Sequence, residues 1–404
     1  MIPAIVIFAG TYVVMALGRF PGFAMDRAGA ALLGASLMVA FGVLDLKQAY
    51  AAIDVNTITL LLGMMLIVAN LRLSGLFRVI DGWAMAGARR PIVLLAAIVI
   101  VAGVFSAFFV NDAICLVLTP MVLELTTRLG RDPIPYLLAV PMASNAGSVA
   151  TITGNPQNMI VGSLSQIPYG AFAAALMPVA IVGLLLTFAL IALLHGKEFL
   201  RPLRFVALPA PPVHYHRWLA AKSSIVALAV VVVFFAGAPV AEVAILGGAL
   251  LLFTRRIKPE KVYFGVDWPL LVMFAGLFVV VAGFERAVLT PDMVAGVGRL
   301  DLASVPVLAT VTAVLSNLVS NVPAVLVLKP FLIELAHSDR AWLTVAMAST
   351  LAGNFTLVGS IANLIVAERA RAEGVAIDFW RYFRVGAPLT LVTIAFGVVW
   401  LSVT

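Results

Sequence analysis

Charged residues are scarce in this sequence. Lys, Arg, Asp and Glu together make up 11% of its 404 residues, whereas 63% of the residues are hydrophobic. A water-soluble globular protein has roughly 25% charged residues. The composition therefore excludes an ordinary soluble domain and indicates a polytopic membrane protein embedded in the lipid bilayer.

Cysteine is almost absent as well, since Cys115 is the single cysteine of the chain. This excludes a disulfide framework and any site that binds a metal through several thiolates. The four histidines are not spaced with nearby carboxylates as metal ligands are. The sequence therefore predicts no metal site.

A phosphate-binding loop of the GxxxxGK[ST] type is also missing. The Gly196-Lys197 pair lacks both the upstream glycine and the following hydroxyl residue. The chain is therefore not expected to hydrolyse ATP itself, although a separate soluble ATPase partner stays open. No nucleophile, base and orienting residue occur together, so the sequence predicts neither an enzyme nor a cofactor.

Apolar segments dominate what is present. Ten of them are candidate membrane spans, at 3–18, 28–44, 55–71, 133–165, 171–194, 223–238, 242–254, 267–284, 341–368 and 385–403. Two further apolar regions, 91–127 and 304–338, are too long for one span and contain a polar break near the middle. We predict that each forms a re-entrant helical hairpin.

Basic residues are distributed unevenly along these segments. If the first residue is external, the predicted cytoplasmic loops contain 21 of the 26 Lys and Arg residues. This asymmetry follows the positive-inside rule and predicts a protein of the cytoplasmic (inner) membrane with both termini external. The net charge of +7 then reports topology and does not indicate a nucleic-acid partner.

The chain divides near its midpoint into two similar halves. The one long polar stretch, 195–222, is predicted to be a cytoplasmic linker between a first repeat, 1–194, and a second repeat, 223–404. Each half contains five spans, and because five is odd, the second half must enter the membrane in the opposite orientation. We therefore predict an all-α fold of two inverted repeats, each with five transmembrane helices, one of them broken, and one hairpin.

Residue identities at constant spacing support the duplication. Asn111 recurs 210 residues later as Asn321, and Asn158 recurs 205 residues later as Asn363. The matching positions are the polar clusters at the two hairpin tips and at the two broken spans. Glycine and proline within the broken spans prevent a continuous helix, and unwound backbone at membrane depth is tolerated only where it is buried in protein or lines a cavity.

The four polar clusters are therefore predicted to surround a substrate near the membrane centre. The predicted substrate-binding residues are Asn111, Ser144, Asn145, Thr151, Asn155, Asn158, Ser320, Asn321, Asn354, Thr356, Ser360 and Asn363. Asp112 is the one carboxylate at a predicted tip, since Val322 occupies the matching position. An intramembrane acid is a functional candidate by default, so Asp112 is interpreted either as the ion-coupling group or as a residue that stabilises its own helix.

Three motifs resemble the ion transporter superfamily, and more closely its arsenite permease branch and the anion transporters beside it. They are Phe109-Val110-Asn111-Asp112, Gly154-Asn155-Pro156-Gln157-Asn158 and Ser320-Asn321-Val322-Pro323. The first looks like the Phe-Ala-Asn-Asp hairpin of arsenite pumps, and the second is similar to the Gly-x-Pro-Pro-Asn of citrate and dicarboxylate carriers. The dicarboxylate carriers have Ser-Asn-Thr at both tips, a pattern that this chain lacks.

The resemblance implies a secondary transporter in which hairpin tips and broken helices enclose the substrate, and in which two copies pair through the remaining helices. Our leading hypothesis is transport of arsenite, antimonite or a similar small inorganic oxyanion by alternating access, driven by the proton motive force. A metalloid hydroxide needs amides and hydroxyls, and an anion held at helix N-termini would use the same groups. The alternatives are a sodium/proton antiporter, a cation-coupled citrate or dicarboxylate transporter, and a non-transporting membrane receptor.

Overall fold

The computed structural model describes residues 1–18, 22–77, 79, 90–199, 216–254, 257–288, 301–333, 335 and 338–404. These residues form helices joined by short connections. The helices of the first half are α1 (Ile2–Leu17), α2 (Arg27–Ala40), α3 (Leu46–Ala52), α4 (Val55–Ser74), α5 (Pro91–Phe108), α6 (Asn111–Arg128), α7 (Pro133–Ser148), a 3₁₀ turn (Ile152–Gly154), α8 (Pro156–Ser165), α9 (Tyr169–Leu194) and α10 (Gly196–Phe199).

The helices of the second half follow the same order. They are α11 (Arg217–Phe235), α12 (Val240–Leu252), α13 (Pro259–Tyr263), α14 (Trp268–Val288), α15 (Val305–Val319), α16 (Asn321–Ile333), α17 (Ser338–Ala352), α18 (Ile361–Ala372) and α19 (Phe379–Val403). Each of the ten predicted spans coincides with one helix or with a broken pair, namely α7 with α8 and α17 with α18. The fold is therefore all-α and polytopic with two inverted repeats, as the sequence predicts.

Helix length distinguishes the helices that could cross a membrane from the shorter apolar helices. Within the described residues, six helices are long and apolar enough to cross a membrane: α4, α5, α9, α11, α14 and α19. The 18-residue helix α5 is among them, although the sequence assigns it to a hairpin arm. α5 is followed after two residues by α6, which packs against it, and re-entry of this pair from one side of the membrane stays a prediction.

The two repeats cross each other through matched glycines. A Cβ atom on Gly63 of α4 would lie 2.4 Å from the carbonyl carbon of Ala244 in α12, and one on Gly276 of α14 would lie 2.6 Å from that of Ala31 in α2. The second member of each equivalent pair lies 213 residues after the first. The same close backbone contact is thus built twice, once at each crossing of the repeats.

We expect Gly63→Ala and Gly276→Ala each to destabilise the protein by about 1–3 kcal/mol, because the helices must separate to admit the methyl group. Thermal unfolding of the purified protein in detergent measures this loss. Gly10→Ala is the matched control, since no atom lies within 4 Å of a Cβ at that helical position. Equal melting temperatures for all three variants would contradict the close crossing.

Both broken helices restart at a side-chain cap. Asn155 precedes Pro156, the first residue of α8, and its Oδ1 accepts the backbone N–H of Asn158 at 2.8 Å. Ser360 caps α18 in the same way and accepts the backbone N–H of Ala362 at 3.3 Å. Proline is tolerated at a first helical position because the N–H there has no partner within the helix. Each half-helix therefore begins with its N-terminus at the break.

The second half begins earlier than expected. α11 starts at Arg217, inside the predicted linker 195–222, and residues 200–215 of that linker lie outside the described residues. The sequence assigns Lys222 to the linker because it is charged, but this residue lies inside α11. Its Nζ donates to the carbonyl oxygens of Leu250 at 2.8 Å and Phe253 at 2.7 Å, at the end of α12. A cation that satisfies the last carbonyls of a neighbouring helix stabilises that end, so a lysine read as loop polarity belongs to a helix.

Candidate substrate site

Asn158 forms hydrogen bonds to the backbone at the break in the first broken helix. The Asn158 Nδ2 donates to the carbonyl oxygens of Ser148 at 3.0 Å and Thr151 at 2.9 Å. Ser148 is the last residue of α7, and Thr151 lies in the unwound segment that follows it. The Ser148 carbonyl oxygen also accepts from Asn155 Nδ2 at 3.3 Å, and that of Thr151 from the backbone N–H of Gly154 at 3.3 Å. Since a hydrogen bond contributes about 0.5–1.5 kcal/mol, Asn158 adds to the stability of the break.

The second broken helix uses the equivalent asparagine in the same way. The Asn363 Nδ2 donates to the carbonyl oxygens of Gly353 at 2.7 Å and Thr356 at 3.0 Å. Gly353 and Thr356 each lie 205 residues after the acceptor that Asn158 uses in the first repeat. The duplicated asparagines therefore have one duplicated structural role.

Asn145 joins the two repeats at the centre of the molecule. Its Nδ2 donates to Asn354 Oδ1 at 2.9 Å and to Asn363 Oδ1 at 3.3 Å. Its Oδ1 accepts from Asn111 Nδ2 at 3.0 Å and from Ser360 Oγ at 3.4 Å. A carboxamide has two N–H donors and an oxygen with two lone pairs, so the hydrogen-bonding capacity of this side chain, which is 1% exposed, is fully used.

Thr350 is the counterpart of Asn145 in the second repeat. Its Oγ1 donates to Asn158 Oδ1 at 3.3 Å and accepts from Asn155 Nδ2 at 3.1 Å and from Gln157 Nε2 at 3.1 Å. Sequence reasoning missed Thr350 because a comparison of identities passes over a threonine that replaces an asparagine. Its position, 205 residues after Asn145, was the available signal.

Ser144 and Thr151 bind the first broken helix to the first hairpin. The Ser144 Oγ lies 2.6 Å from Ser106 Oγ and donates to the carbonyl oxygen of Asn111 at 3.2 Å. The Thr151 Oγ1 donates to the carbonyl oxygen of Ala107. These hydroxyls position the hairpin tip and are fully buried behind it.

A small cavity lies where the two tips meet the starts of α8 and α18. Five of the predicted site residues line it, and they are Asn111, Asp112, Ser320, Asn321 and Ser360. Gln157 and Phe274 line it too and were not predicted as binding residues. Gln157 stands within a predicted cluster, whereas nothing in the sequence distinguishes Phe274 from the other apolar residues of α14.

The remaining predicted residues do not line this cavity. They form the hydrogen-bonded layer behind it and comprise Ser144, Asn145, Thr151, Asn155, Asn158, Asn354, Thr356 and Asn363. Asn354 belongs to this layer through its Nδ2, which donates to the carbonyl oxygen of Met142 at 3.2 Å. Thr356 contributes its backbone carbonyl to the Asn363 carboxamide.

Two repeat-related side-chain oxygens of residues that line the cavity lack a protein partner. Asn111 Oδ1 and Asn321 Oδ1 are buried and accept no hydrogen bond from the described residues. The Asn111 Nδ2 is already engaged by Asn145, so its unused atom is an acceptor. Such oxygens fit a ligand that donates hydrogen bonds, or a hard cation, and neither Lys nor Arg is among the described residues that line this cavity.

Four helix N-termini converge on the same space. Asn111, Asn321, Pro156 and Ile361 are the first residues of α6, α16, α8 and α18, and all four line the cavity. An α-helix N-terminus carries roughly half a positive charge. The site therefore combines acceptor oxygens with a positive field, which suits a hydroxylated acid that has both O–H groups and electron-rich oxygens.

Asp112 lies in the first turn of α6 and is partly exposed to this space. Its carboxylate makes no hydrogen bond with the described part of the chain. The helix N-terminus favours its negative charge. Val322 at the matching position is buried and apolar, so the acidic side chain has no counterpart on the second hairpin tip.

Comparison with known proteins identifies the family. Residues 12–352 match the family described as Citrate transporter, CitMHS. The chain belongs to the citrate transporter family. This confirms the predicted resemblance at the level of the family and shows that the protein is a multi-pass membrane transporter.

Named relatives span nearly the whole chain. A 46 kDa membrane protein of Mycobacterium leprae is 30% identical over 423 residues, covering 98% of this chain and 97% of that protein. The silicon efflux transporter LSI3 of Oryza sativa subsp. japonica is also 30% identical, covering 94% and 93%. The similarity to both relatives therefore includes the hairpins and broken helices that form the candidate site.

One solved structure shares the fold of this citrate transporter family member. The crystal structure of the Alcanivorax borkumensis YdaH transporter superimposes with a TM-score of 0.59 and 15% sequence identity, covering 99% of this chain and 96% of that one. The likeness at this identity concerns the fold alone.

Proposed function

We propose that the protein is a secondary active transporter of arsenite, antimonite or a similar small inorganic oxyanion, handled as its protonated hydroxy acid. Arsenous acid is uncharged near neutral pH and offers three O–H donors. The observation that carries the proposal is the pair of buried, unpartnered oxygens on Asn111 and Asn321. A neutral hydroxylated solute satisfies both without a cationic side chain.

A relative supports the same chemical class. The rice relative is named a silicon efflux transporter, and silicic acid, like arsenous acid, is a small neutral molecule whose surface consists of hydroxyl groups. Citrate differs because it carries several negative charges at neutral pH. Helix N-termini and amides would have to hold those charges against the nearby Asp112 carboxylate, so citrate is the weaker candidate despite the family description.

Sodium/proton antiport is a second candidate, which the same oxygens favour. Sodium is a hard cation that binds oxygen ligands, and Asn111, Asn321 and Asp112, which carry side-chain oxygens, all line one cavity. In that case the cation would be the transported species and no oxyanion would move with it.

Energy coupling is proposed to come from the proton motive force. Inverted repeats provide two related arrangements of one chain, which is the structural basis of alternating access. Asp112 is the proposed proton-sensitive group, and the transport direction is export across the cytoplasmic membrane. Pairing of two copies through helices outside the hairpins and broken helices stays a prediction.

Flux measurements in proteoliposomes test the proposal. We expect an imposed pH gradient to drive arsenite or antimonite transport, with silicic acid as a competitor, and to drive neither citrate nor sodium. Asn111→Ala and Asn321→Ala should each raise the apparent KM for arsenite about tenfold, the value of one hydrogen bond of roughly 1.4 kcal/mol.

The buried Asn70 provides the matched control for these variants. Its Nδ2 donates to the carbonyl oxygen of Leu66 in its own helix at 2.9 Å, and it lines neither cavity of the site. Asn70→Ala should therefore leave the KM unchanged. Citrate flux without arsenite flux would contradict the proposal and favour a citrate transporter. Sodium-dependent proton movement that does not change with arsenite would favour a sodium/proton antiporter.

A further inference from the structure

A second cavity adjoins the candidate site on the predicted cytoplasmic side. It shares Asp112 and Leu270 with the first cavity. Arg72 near the end of α4 and Asp267 just before α14 also line it. The second cavity therefore lies between the hairpin tips and the predicted cytoplasmic ends of α4 and α14.

The equivalent positions of the second hairpin are packed more tightly. Ala113 and Leu116 of the first hairpin line the open cavity and are partly exposed. Pro323 and Leu326, which lie 210 residues later, are buried, and Leu326 is 0% exposed. Because the repeats are inverted, the two hairpins are thus packed unequally on opposite sides of the site, within the part of the chain that the structure describes.

The second hairpin is held against α14 by an ion pair. Lys329 of α16 pairs with Glu285 of α14 at an Nζ to Oε1 distance of 3.5 Å, and both side chains are about three-quarters buried. Tyr12 of α1 also donates its hydroxyl hydrogen to the carbonyl oxygen of Pro323 at 3.2 Å. Glu285 lies 213 residues after Arg72, so the ion pair occupies the position that Arg72 has beside the second cavity.

We infer that the Lys329–Glu285 pair is a latch that holds the second hairpin on α14 and keeps the outer half of the transport pathway closed. The inference rests on the proposed transport function. When the outer path opens, the inverted-repeat symmetry requires α16 to leave α14, as α6 stands away from α4 around the present cavity. The ion pair then separates, so it stabilises one of the two states and not the other.

Cysteine labelling measures this equilibrium directly. In a Cys115→Ala background, the repeat-equivalent variants Leu116→Cys and Leu326→Cys report the open and the closed path. In lipid nanodiscs, where both faces are accessible, we expect a soluble maleimide to label Cys at 116 rapidly and at 326 slowly. Glu285→Gln or Lys329→Gln should accelerate labelling at 326 about tenfold and slow labelling at 116.

Glu124→Gln is the matched control. It removes an ion pair with Arg128, at 2.8 Å, that lies within α6 and joins no other helix, so both labelling rates should stay unchanged. The double reversal Glu285→Lys with Lys329→Glu should restore slow labelling at 326, which distinguishes the latch from a loss of folding. Unchanged labelling at 326 in both single variants would contradict the proposed latch. The absence of arsenite flux in the wild type would contradict the proposed substrate, but the labelling result could still be interpreted.

Discussion

Replacing Asn145 with alanine is expected to reduce transport at least 100-fold and to lower the melting temperature of the purified protein. The carboxamide of Asn145 donates two hydrogen bonds and accepts two, and these connect the first broken helix to the second broken helix and to the first hairpin tip. A hydrogen bond within a membrane protein is worth about 0.6 kcal/mol on average and up to about 1.7. The loss of four should therefore cost about 2–4 kcal/mol.

The functional loss exceeds the loss of stability for a geometric reason. The Asn145 Oδ1 accepts a hydrogen bond from the Asn111 Nδ2, and this bond fixes the orientation of the Asn111 carboxamide at the hairpin tip. Without Asn145 the tip asparagine is free to rotate and to bond elsewhere. Proteoliposome flux and thermal unfolding, measured on the same preparation, separate the two effects.

Asn70→Ala is the control for Asn145→Ala, since Asn70 is equally buried but bonds within its own helix. It should keep most of its transport and lose at most about 1 kcal/mol. Asn145→Asp refines the test, because a carboxylate keeps the acceptors but removes both donors to Asn354 and Asn363. Transport by Asn145→Ala within threefold of the wild type would show that the central network does not position the site.

The central network also indicates which parts of the molecule move together. Asn145 donates to Asn363 and Thr350 donates to Asn158, so each repeat stabilises the broken helix of the other. Such reciprocal bonding makes the hairpins and broken helices one unit. We therefore expect the change between states to be a displacement of this unit, α5–α8 with α15–α18, against the helices α1–α4 and α11–α14.

The sequence predicts the architecture better than it predicts the site. Identities at constant spacing, such as Asn158 and Asn363, can be found in the sequence because both residues have the same structural role. Each donates hydrogen bonds to backbone carbonyls at the break in its helix. Apolar length and the odd number of spans then determine the inverted arrangement. These features depend on local chemistry and counting, which a sequence contains.

The sequence does not predict which polar residues line the cavity and which bond to the backbone. An asparagine beside a helix break can face a ligand or bond to the backbone, and the sequence predicts Asn111 and Asn158 alike as binding residues. Only the three-dimensional direction of each side chain distinguishes them. The Lys329 and Glu285 pair was missed for a related reason, since two charges 44 residues apart reveal no contact until the packing of their helices is known.

Asp112→Asn is expected to abolish proton-driven transport while leaving exchange of substrate intact. Asp112 lines both the central cavity and the adjoining cavity on the predicted cytoplasmic side, so it occupies the place at which a proton from that side would meet the site. Asparagine has nearly the same shape but takes up no proton. Uphill accumulation of arsenite under an imposed pH gradient should fall at least tenfold, and its dependence on pH should disappear.

Counterflow separates coupling from binding in this variant. With equal pH on both sides, labelled arsenite exchanges for unlabelled arsenite without net proton movement, so Asp112→Asn should retain exchange within about threefold of the wild-type rate. Asp267→Asn is the matched control, because Asp267 lines the same adjoining cavity and its Oδ1 accepts the backbone N–H of Leu270 at 3.1 Å.

Asp267→Asn should keep both accumulation and exchange, since its carboxylate caps α14 and is absent from the central cavity. If Asp112→Asn still accumulates arsenite in response to pH, Asp112 is a structural residue of the α6 first turn and the coupling group lies elsewhere. If Asp267→Asn alone loses the response, the proton is taken up at the start of α14. The pair of variants therefore determines whether the coupling step occurs at the hairpin tip or at the predicted cytoplasmic end of α14.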